Sequence, residues 1–264
     1  MKILTTPWKD DFLELVHQSK KSIKITSPFV KQDICEELIN AKNNSSKVEL
    51  ITSFKLMSIY SGSLDISAIE NIISNNGTVK NFPKLHSKIY LFDDCKAIIS
   101  SGNLTYGGLM KNYEYGIYLE DKNILQKISS DFNDLSQNER TGLVKQTDLE
   151  TVKEILSKIP KVVSPKFPSI EIETPEEKSD VIETSVEPIE SSLKGWKLEV
   201  FKCVNAIPKQ IFTLAEISTF EYHLRTIYPE NQHINDKIRQ QLQYIRDLGL
   251  IEFLGNGKYK KLWK

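Results

Sequence analysis

Residues 160–195, PKVVSPKFPSIEIETPEEKSDVIETSVEPIESSLKG, constrain the fold of this chain more than any other stretch. They hold Pro160, Pro165, Pro168, Pro175 and Pro188 among many Glu, Ser and Thr residues, with no sustained helical or strand periodicity. Proline removes a backbone donor, and a polar, acidic run buries too little apolar surface to offset its ordering entropy. The stretch reads as an extended, self-repelling linker. It cuts the 264-residue chain into an N-terminal unit, 1–159, and a C-terminal unit, 196–264. Charge follows the same division. Basic and acidic residues number 20 and 20 in 1–159, 4 and 8 in 160–195, and 11 and 7 in 196–264, so the last unit carries a surplus of +4.

The N-terminal unit alternates. Phe12, Leu13 and Val16 put 9–20 on a helix; 22–29 reads as a strand, 32–42 as a helix, 47–53 as a strand and 66–76 as a helix. Strands at 85–92, 97–101 and 113–119 and a helix at 122–135 follow. This order predicts an α/β layer structure with a mixed sheet and flanking helices. No internal repeat is visible. Trp8, Phe29 and the tyrosines of 113–118 fit either a substrate groove or ordinary core, with core preferred.

The C-terminal unit begins with a helix over 196–207. Thr213 with Glu216 three residues on forms a capping box that opens a second helix. Asn231 or Asn235 can cap a third, roughly INDKIRQQLQYIRDLG, closed by Gly249. LIEFL and KYKKLW around GNG read as a hairpin. Three helices and a hairpin are the order of a small winged helix-turn-helix. In the third helix His233, Asn235, Lys237, Arg239, Gln240 and Gln243 form the outward polar set. Gln can pair with adenine, Arg with guanine, and Lys with phosphate; Lys258, Lys260 and Lys261 on the hairpin can reach backbone phosphates. A solvated helix face is the plainer alternative.

No apolar run approaches the ~18 residues of a membrane span. The N-terminus lacks the apolar core of a secretory signal. Cys35, Cys95 and Cys203 are scattered without CxxC spacing, which argues against a disulfide framework or zinc site and fits a cytoplasmic, reduced setting.

Chemistry concentrates in HSKIYLFDDCKAIISSGNLT, 86–105. Residues i and i+2 of a strand share a face, so His86 and Lys88 project together. A turn at Asp93–Lys96 returns the chain as KAIISS and brings Ser101 and Asn103 back toward them; the next strand adds Glu114. An imidazole, an ammonium, a hydroxyl, an amide and a carboxylate make a set suited to an anionic substrate.

HSKIYLFD followed by SSGN resembles the phospholipase D superfamily motif H-x-K-x4-D-x6-G-S-x-N. His86, Lys88, Asp93, Ser101 and Asn103 take the motif positions, and Ser100 stands where the family usually has Gly. Leu104-Thr105 and Glu114 look like the nuclease branch. The resemblance implies a phosphodiester reaction needing no metal or other cofactor. One His attacks phosphorus, and a second protonates the leaving oxygen and then activates water. Lys and Asn bind the non-bridging oxygens, and Glu114 hydrogen-bonds a ring nitrogen of His86. The role of Asp93 is left open, ordering of the turn being one reading. Of His17, His86, His223 and His233 only His86 sits in an HxK pattern, so the resemblance implies a homodimer with His86 from both subunits at the two-fold axis. Two imidazoles that close do not both carry charge, which leaves one neutral nucleophile and one protonated acid.

Residues 196–259 also resemble the C-terminal winged-helix domain of the family that includes the methyl-directed restriction endonuclease DpnI. The resemblance implies binding to double-stranded DNA through the third helix. Together the two suggest a sequence-specific, restriction-type endonuclease, with methylated adenine as one candidate target. A flexible linker of this size spans roughly 30–35 Å, enough to seat two readers on separate DNA sites. A lipid phosphodiesterase and a non-catalytic DNA-binding regulator are the alternatives. A companion methyltransferase or ATPase fits the scheme, but nothing in the chain marks one.

Overall fold

Strands β1 (Lys2–Thr5), β2 (Ser22–Thr26), β3 (Lys47–Thr52), β4 (Thr78–Asn81), β5 (Ile89–Phe92), β6 (Lys96–Ser100), β7 (Tyr115–Leu119) and β8 (Gly142–Val144) form one sheet in the order β1-β7-β6-β5-β2-β3-β4-β8. Only β2–β3 and β3–β4 run parallel; the other neighbours are antiparallel. This is the mixed sheet that the alternating pattern predicts. The computed structural model describes residues 1–160 and 186–263, so the segment 161–185 of the expected linker lies outside the described residues.

Strand alternation decides what each sheet face buries. Tyr90 and Phe92 of β5 and Ile98 of β6 join Trp8 and Phe12 in the main core, beneath α1 (Lys9–Gln18) and α2 (Gln32–Ala41). Leu91, Ala97 and Leu119 point the other way, where α5 (Lys122–Gln137) covers them with Leu125 and Ile128. α5 is held at its start by Asp121, whose carboxylate accepts from the amides of Asn123 and Ile124. Helices α3 (Leu56–Tyr60), α4 (Ile66–Ser74) and α6 (Gln146–Lys158) complete the N-terminal unit. No helix among the described residues is long and apolar enough to cross a membrane.

The expected linker is not extended throughout. Its last residues form α7 (Glu187–Ser192), with Pro188 in the first turn, where a missing N–H costs no helix bond. Ile189 and Leu193, four apart, are buried, which explains why this segment docks. The C-terminal unit follows as α8 (Trp196–Ala206), β9 (Ile211–Thr213), α9 (Leu214–Ser218), α10 (Glu221–Ile227), α11 (Ile234–Asp247), β10 (Ile251–Gly255) and β11 (Lys258–Lys261). It is a small helix-turn-helix unit with an antiparallel sheet of order β10-β11-β9. The Thr213–Glu216 capping box is formed in full. The helix it opens breaks after Ser218, however, where Thr219 Oγ1 turns back to donate to Glu216 O at 2.7 Å. Neither Asn231 nor Asn235 caps α11 from its N-cap position. That position belongs to His233, whose amide donates to Asn231 Oδ1 at 2.8 Å, and Asn235 lies inside the helix. Gly249, at φ +73°, ends it as expected.

The two units pack together, and one hydrophobic cluster runs through both. Arg246 Nη1 donates to Glu139 O at 2.8 Å, and Lys84 pairs with the nearly buried Glu252 at 3.6 Å. The expectation of a reader swinging on a flexible tether is corrected by these contacts. The last turn of α11 and the start of β10 rest against the N-terminal unit.

Candidate active site and nucleic-acid interface

The HxK segment is extended, but regular strand begins only at Ile89. Ser87 Oγ donates to Thr26 Oγ1 at 3.0 Å and Ile89 N donates to the same oxygen at 3.1 Å. The two bonds pin the segment to the end of β2. The ammonium of Lys88 stands 3.5 Å from each ring nitrogen of His86 and donates to His86 O at 2.7 Å. His86 is exposed, whereas Lys88 is only 8% exposed. Burial lowers the Lys88 pKa from its ordinary value, and the charge of Glu114 opposes that shift without cancelling it.

Ser101 and Asn103 enter on the turn after β6. Ser100, in the place of the usual glycine, uses its hydroxyl to accept from Gly102 N at 3.0 Å and so builds the turn. Tyr90 Oη donates to Gly102 O at 2.8 Å from below. A Cβ on Gly102 would stand 2.5 Å from Gly108 O, so this glycine lets the turn nest on the π-helical turn Gly107–Lys111. The side-chain oxygen of Asn103 is buried with no hydrogen-bond partner. An unmet buried acceptor costs about 1–3 kcal/mol, and any group that meets it must be a donor.

Glu114 departs from the expectation. Its carboxylate accepts from Ser101 Oγ at 2.5 Å and from Asn112 Nδ2 at 3.2 Å, and among the described residues no hydrogen bond joins it to His86. Ser101 also accepts from Tyr115 N at 3.1 Å, so it serves to hold Glu114. Glu114 N donates to Thr6 Oγ1 at 2.9 Å. Asn112 and Thr6 escape a reading of the sequence. Asn112 lies two residues before Glu114, a clue of sorts, but Thr6 arrives from 108 residues away.

Asp93 lies at the far end of β5 from His86. With φ +51° it opens the β5–β6 turn, and its carboxylate accepts from the amides of Lys20, Lys21 and Ser22 at 2.8, 2.7 and 2.8 Å. Burial alone would raise its pKa; the three donors outweigh it, and the group lies below the ordinary carboxylate value. A depressed carboxylate supports the fold above its unfolded pKa, and the support is lost as pH falls through the folded one. Asp93→Asn is therefore expected to cost about 1–2 kcal/mol at neutral pH and to flatten the loss of stability below about pH 4, leaving turnover of the folded protein unchanged. Urea midpoints across pH, with activity measured beside them, check this. Lost turnover at full stability would place Asp93 in the chemistry.

Of the aromatic residues set aside as core, Trp8 is buried and donates to Gly108 O at 3.1 Å. Phe29, Tyr113 and Tyr115 are exposed, at 39%, 87% and 53%, the last two beside Glu114.

On α11 the apolar stripe Ile234, Ile238, Leu242 and Ile245 is buried as expected. His233, Arg239, Gln240 and Gln243 are exposed. Lys237 Nζ donates to Gln240 Oε1 at 2.7 Å, and Arg239 pairs with Asp236 at 3.1 Å. Asn235 is turned inward, donating to Glu221 Oε2 at 2.6 Å, and its side-chain oxygen is buried without a partner. Lys258 is exposed and Lys260 half-buried. Lys261 is a correction: it is buried and donates to Ile207 O and Asn205 O at the end of α8, where no phosphate can reach it.

A mixed sheet carrying an H-x-K segment beside an S-x-N turn, followed by a helix-turn-helix, defines the class. Residues 12–136 match the family described as cardiolipin synthase, PLD-like domain, and residues 192–261 match the Dam-replacing HTH domain of DpnI. This chain joins an N-terminal phospholipase D-like domain to a C-terminal Dam-replacing HTH domain. Among solved structures it is similar to a phospholipase D family member, Nuc from Salmonella typhimurium, at 18% identity and TM-score 0.44, over 50% of this chain and 91% of that one. NucT from Helicobacter pylori is similar at 15% identity and TM-score 0.39, over 50% and 92%. A phosphatidylserine synthase of Haemophilus influenzae is similar at 18% identity and TM-score 0.48, over 60% and 44%.

Proposed function

We propose that this protein is a sequence-specific endodeoxyribonuclease of restriction type that hydrolyses phosphodiesters without a metal, at a site shared by two copies of the chain. The observation that carries the reading is a half-site: exposed His86 beside the buried ammonium of Lys88, with Ser100 N donating to Lys88 O at 3.1 Å so that the turn carrying Asn103 starts alongside them. A ring nitrogen of His86 bonds to phosphorus as the ester P–O bond breaks, and the leaving oxygen takes a proton from His86 of a second copy. That second imidazole, now neutral, takes a proton from water as the water oxygen attacks phosphorus, and the P–N bond breaks to free the first. Lys88 and the amide of Asn103 bind the non-bridging oxygens as negative charge gathers there. Glu114, held by Ser101 and Asn112, is assigned to orient an imidazole in the assembled site. The helix-turn-helix unit supplies the address through His233, Lys237, Arg239, Gln240, Gln243, Lys258 and Lys260, with adenine-methylated DNA as the target, while Asn235, turned in to Glu221, takes no part.

The test incubates the protein and its His86→Ala variant in EDTA with adenine-methylated and unmethylated plasmid. Discrete fragments from the unaltered protein alone, on methylated DNA alone, are expected. Smearing would keep the nuclease and remove the restriction reading. Cutting of both plasmids would remove methyl dependence. No cutting of either would overturn the reading in favour of a lipid substrate or a binding-only role.

A further inference from the structure

Arg140 lies in the loop between α5 and β8 of the phospholipase D-like domain, a position no motif marks. The loop is firm: Arg140 N donates to Asn138 Oδ1 at 2.9 Å and Thr141 N to Asn138 O at 2.8 Å. Its guanidinium lies on the hairpin turn of the other domain. A Cβ on Gly255 would stand 2.4 Å from Arg140 Nη2 and 3.3 Å from Cζ, so the guanidinium lies directly against this glycine. Gly255 pairs with exposed Lys258 across the hairpin.

The charges nearby are committed to different degrees. Arg246 is nearly buried, bonded to Asp247 at 2.9 Å and to Glu139 O. Among the described residues Arg239 pairs with Asp236 alone, and both side chains are largely in solvent, an arrangement worth little. The Arg140 guanidinium has no hydrogen-bond or ion-pair partner among the described residues. Burial raises the pKa of Tyr259, on β11, and the charges of Arg246 and Arg239 on α11 oppose the rise, so α11 and the hairpin share one corner. A guanidinium with no carboxylate partner among the described residues, half-exposed on the hairpin turn, is shaped for the forked oxygens of a phosphate.

We infer that Arg140 is a phosphate-binding residue through which the phospholipase D-like domain extends the DNA-contacting face of the helix-turn-helix unit. This rests on the DNA reading proposed above, and not on the nuclease chemistry. The contact adds affinity and register without sequence preference. It also sets the reader at a fixed position relative to His86. Glu139, the preceding residue, is acidic and exposed, so Glu139→Gln is expected to move binding the other way.

The test uses the full chain carrying His86→Ala, so that cleavage does not interfere, and random-sequence duplexes of about 30 base pairs read by fluorescence anisotropy across salt. Arg140→Gln is expected to reduce the slope of log affinity against log salt by about 0.9, the value of one phosphate contact, equally on unrelated sequences. Arg140→Lys is expected to keep most of the slope, and thermal midpoints of all variants to stay together. An unchanged slope in Arg140→Gln overturns the inference, as does a fall in thermal midpoint shared by Arg140→Lys, which makes the residue a packing element of the seam. If the parent binds no duplex at all, the DNA reading fails and the inference falls with it.

Discussion

Replacing His86 with alanine is expected to lower DNA cleavage by about 10⁴-fold or more while leaving duplex binding intact. The size follows from what the residue is asked to do. In the proposed mechanism it is the nucleophile that bonds to phosphorus, and in the second copy the source of the proton for the leaving oxygen. General acid–base catalysis alone is worth roughly 10²–10⁴, and removing the nucleophile adds to that. Nothing else in the site can stand in: Lys88 is buried and turned to His86 O, and Ser101 is committed to Glu114. Because His86 is exposed and takes no part in the core, its loss is not expected to move the thermal midpoint. Cleavage by the variant within about tenfold of the parent would remove the phosphohistidine route.

Lys88→Met is expected to lower the rate by about 10²–10³, the usual loss when a donor to a developing oxyanion is removed, and at the same time to make the protein more stable. The second half is the more telling. Burial is the main influence on this ammonium and lowers its pKa from the ordinary 10.5. A lysine that holds its proton less tightly in the folded state burdens the fold whenever it is charged. The burden is full at neutral pH and fades only as pH rises through the folded pKa toward the unfolded one. Methionine fills the same space without the charge. The urea midpoint of the variant is therefore expected above that of the parent at pH 7, with the gap closing at alkaline pH. A destabilised variant with normal turnover would make Lys88 an ordinary structural residue. Tension between stability and activity at one side chain is what a preorganised site is expected to store.

Much of this site was legible before any coordinates because strand geometry is so restrictive. His86 and Lys88, two apart, lie just ahead of β5 with the ammonium 3.5 Å from the ring, and the turn opened by Asp93 returns the chain through β6 alongside them. Three amide donors from another connection favour a turn-ordering role for Asp93, which the motif leaves open. Glu114 shows the limit. Its partners, Ser101, Asn112 and Thr6, are selected by the pairing of β1 with β7, and β1 is a four-residue edge strand too short to announce itself. β8, three residues with a glycine, is likewise a product of pairing with β4. α6 carries a helical rhythm in Leu149, Val152 and Ile155, and yet what makes it matter is tertiary: α7 packs on it. That packing also replaces the free tether expected from composition. A run rich in Pro and Glu reads as linker on average, while two well-spaced apolar side chains, Ile189 and Leu193, suffice to dock its end. Arg140 gave no signal at all, since its meaning depends on Gly255 in the other domain.

The central claim is that one phosphodiester site is shared between two chains through a covalent link to His86. Its most direct measurement is the stoichiometry of that link. The protein is mixed with excess DNA in EDTA, quenched by denaturant during turnover, and weighed by mass spectrometry against the 30.3 kDa chain, with light scattering giving the native mass. The account predicts a dimer in which nucleotide-linked chains never exceed one in two, the link lying on His86. Links on every chain, a catalytically active monomer, or turnover with no linked chain would each contradict it.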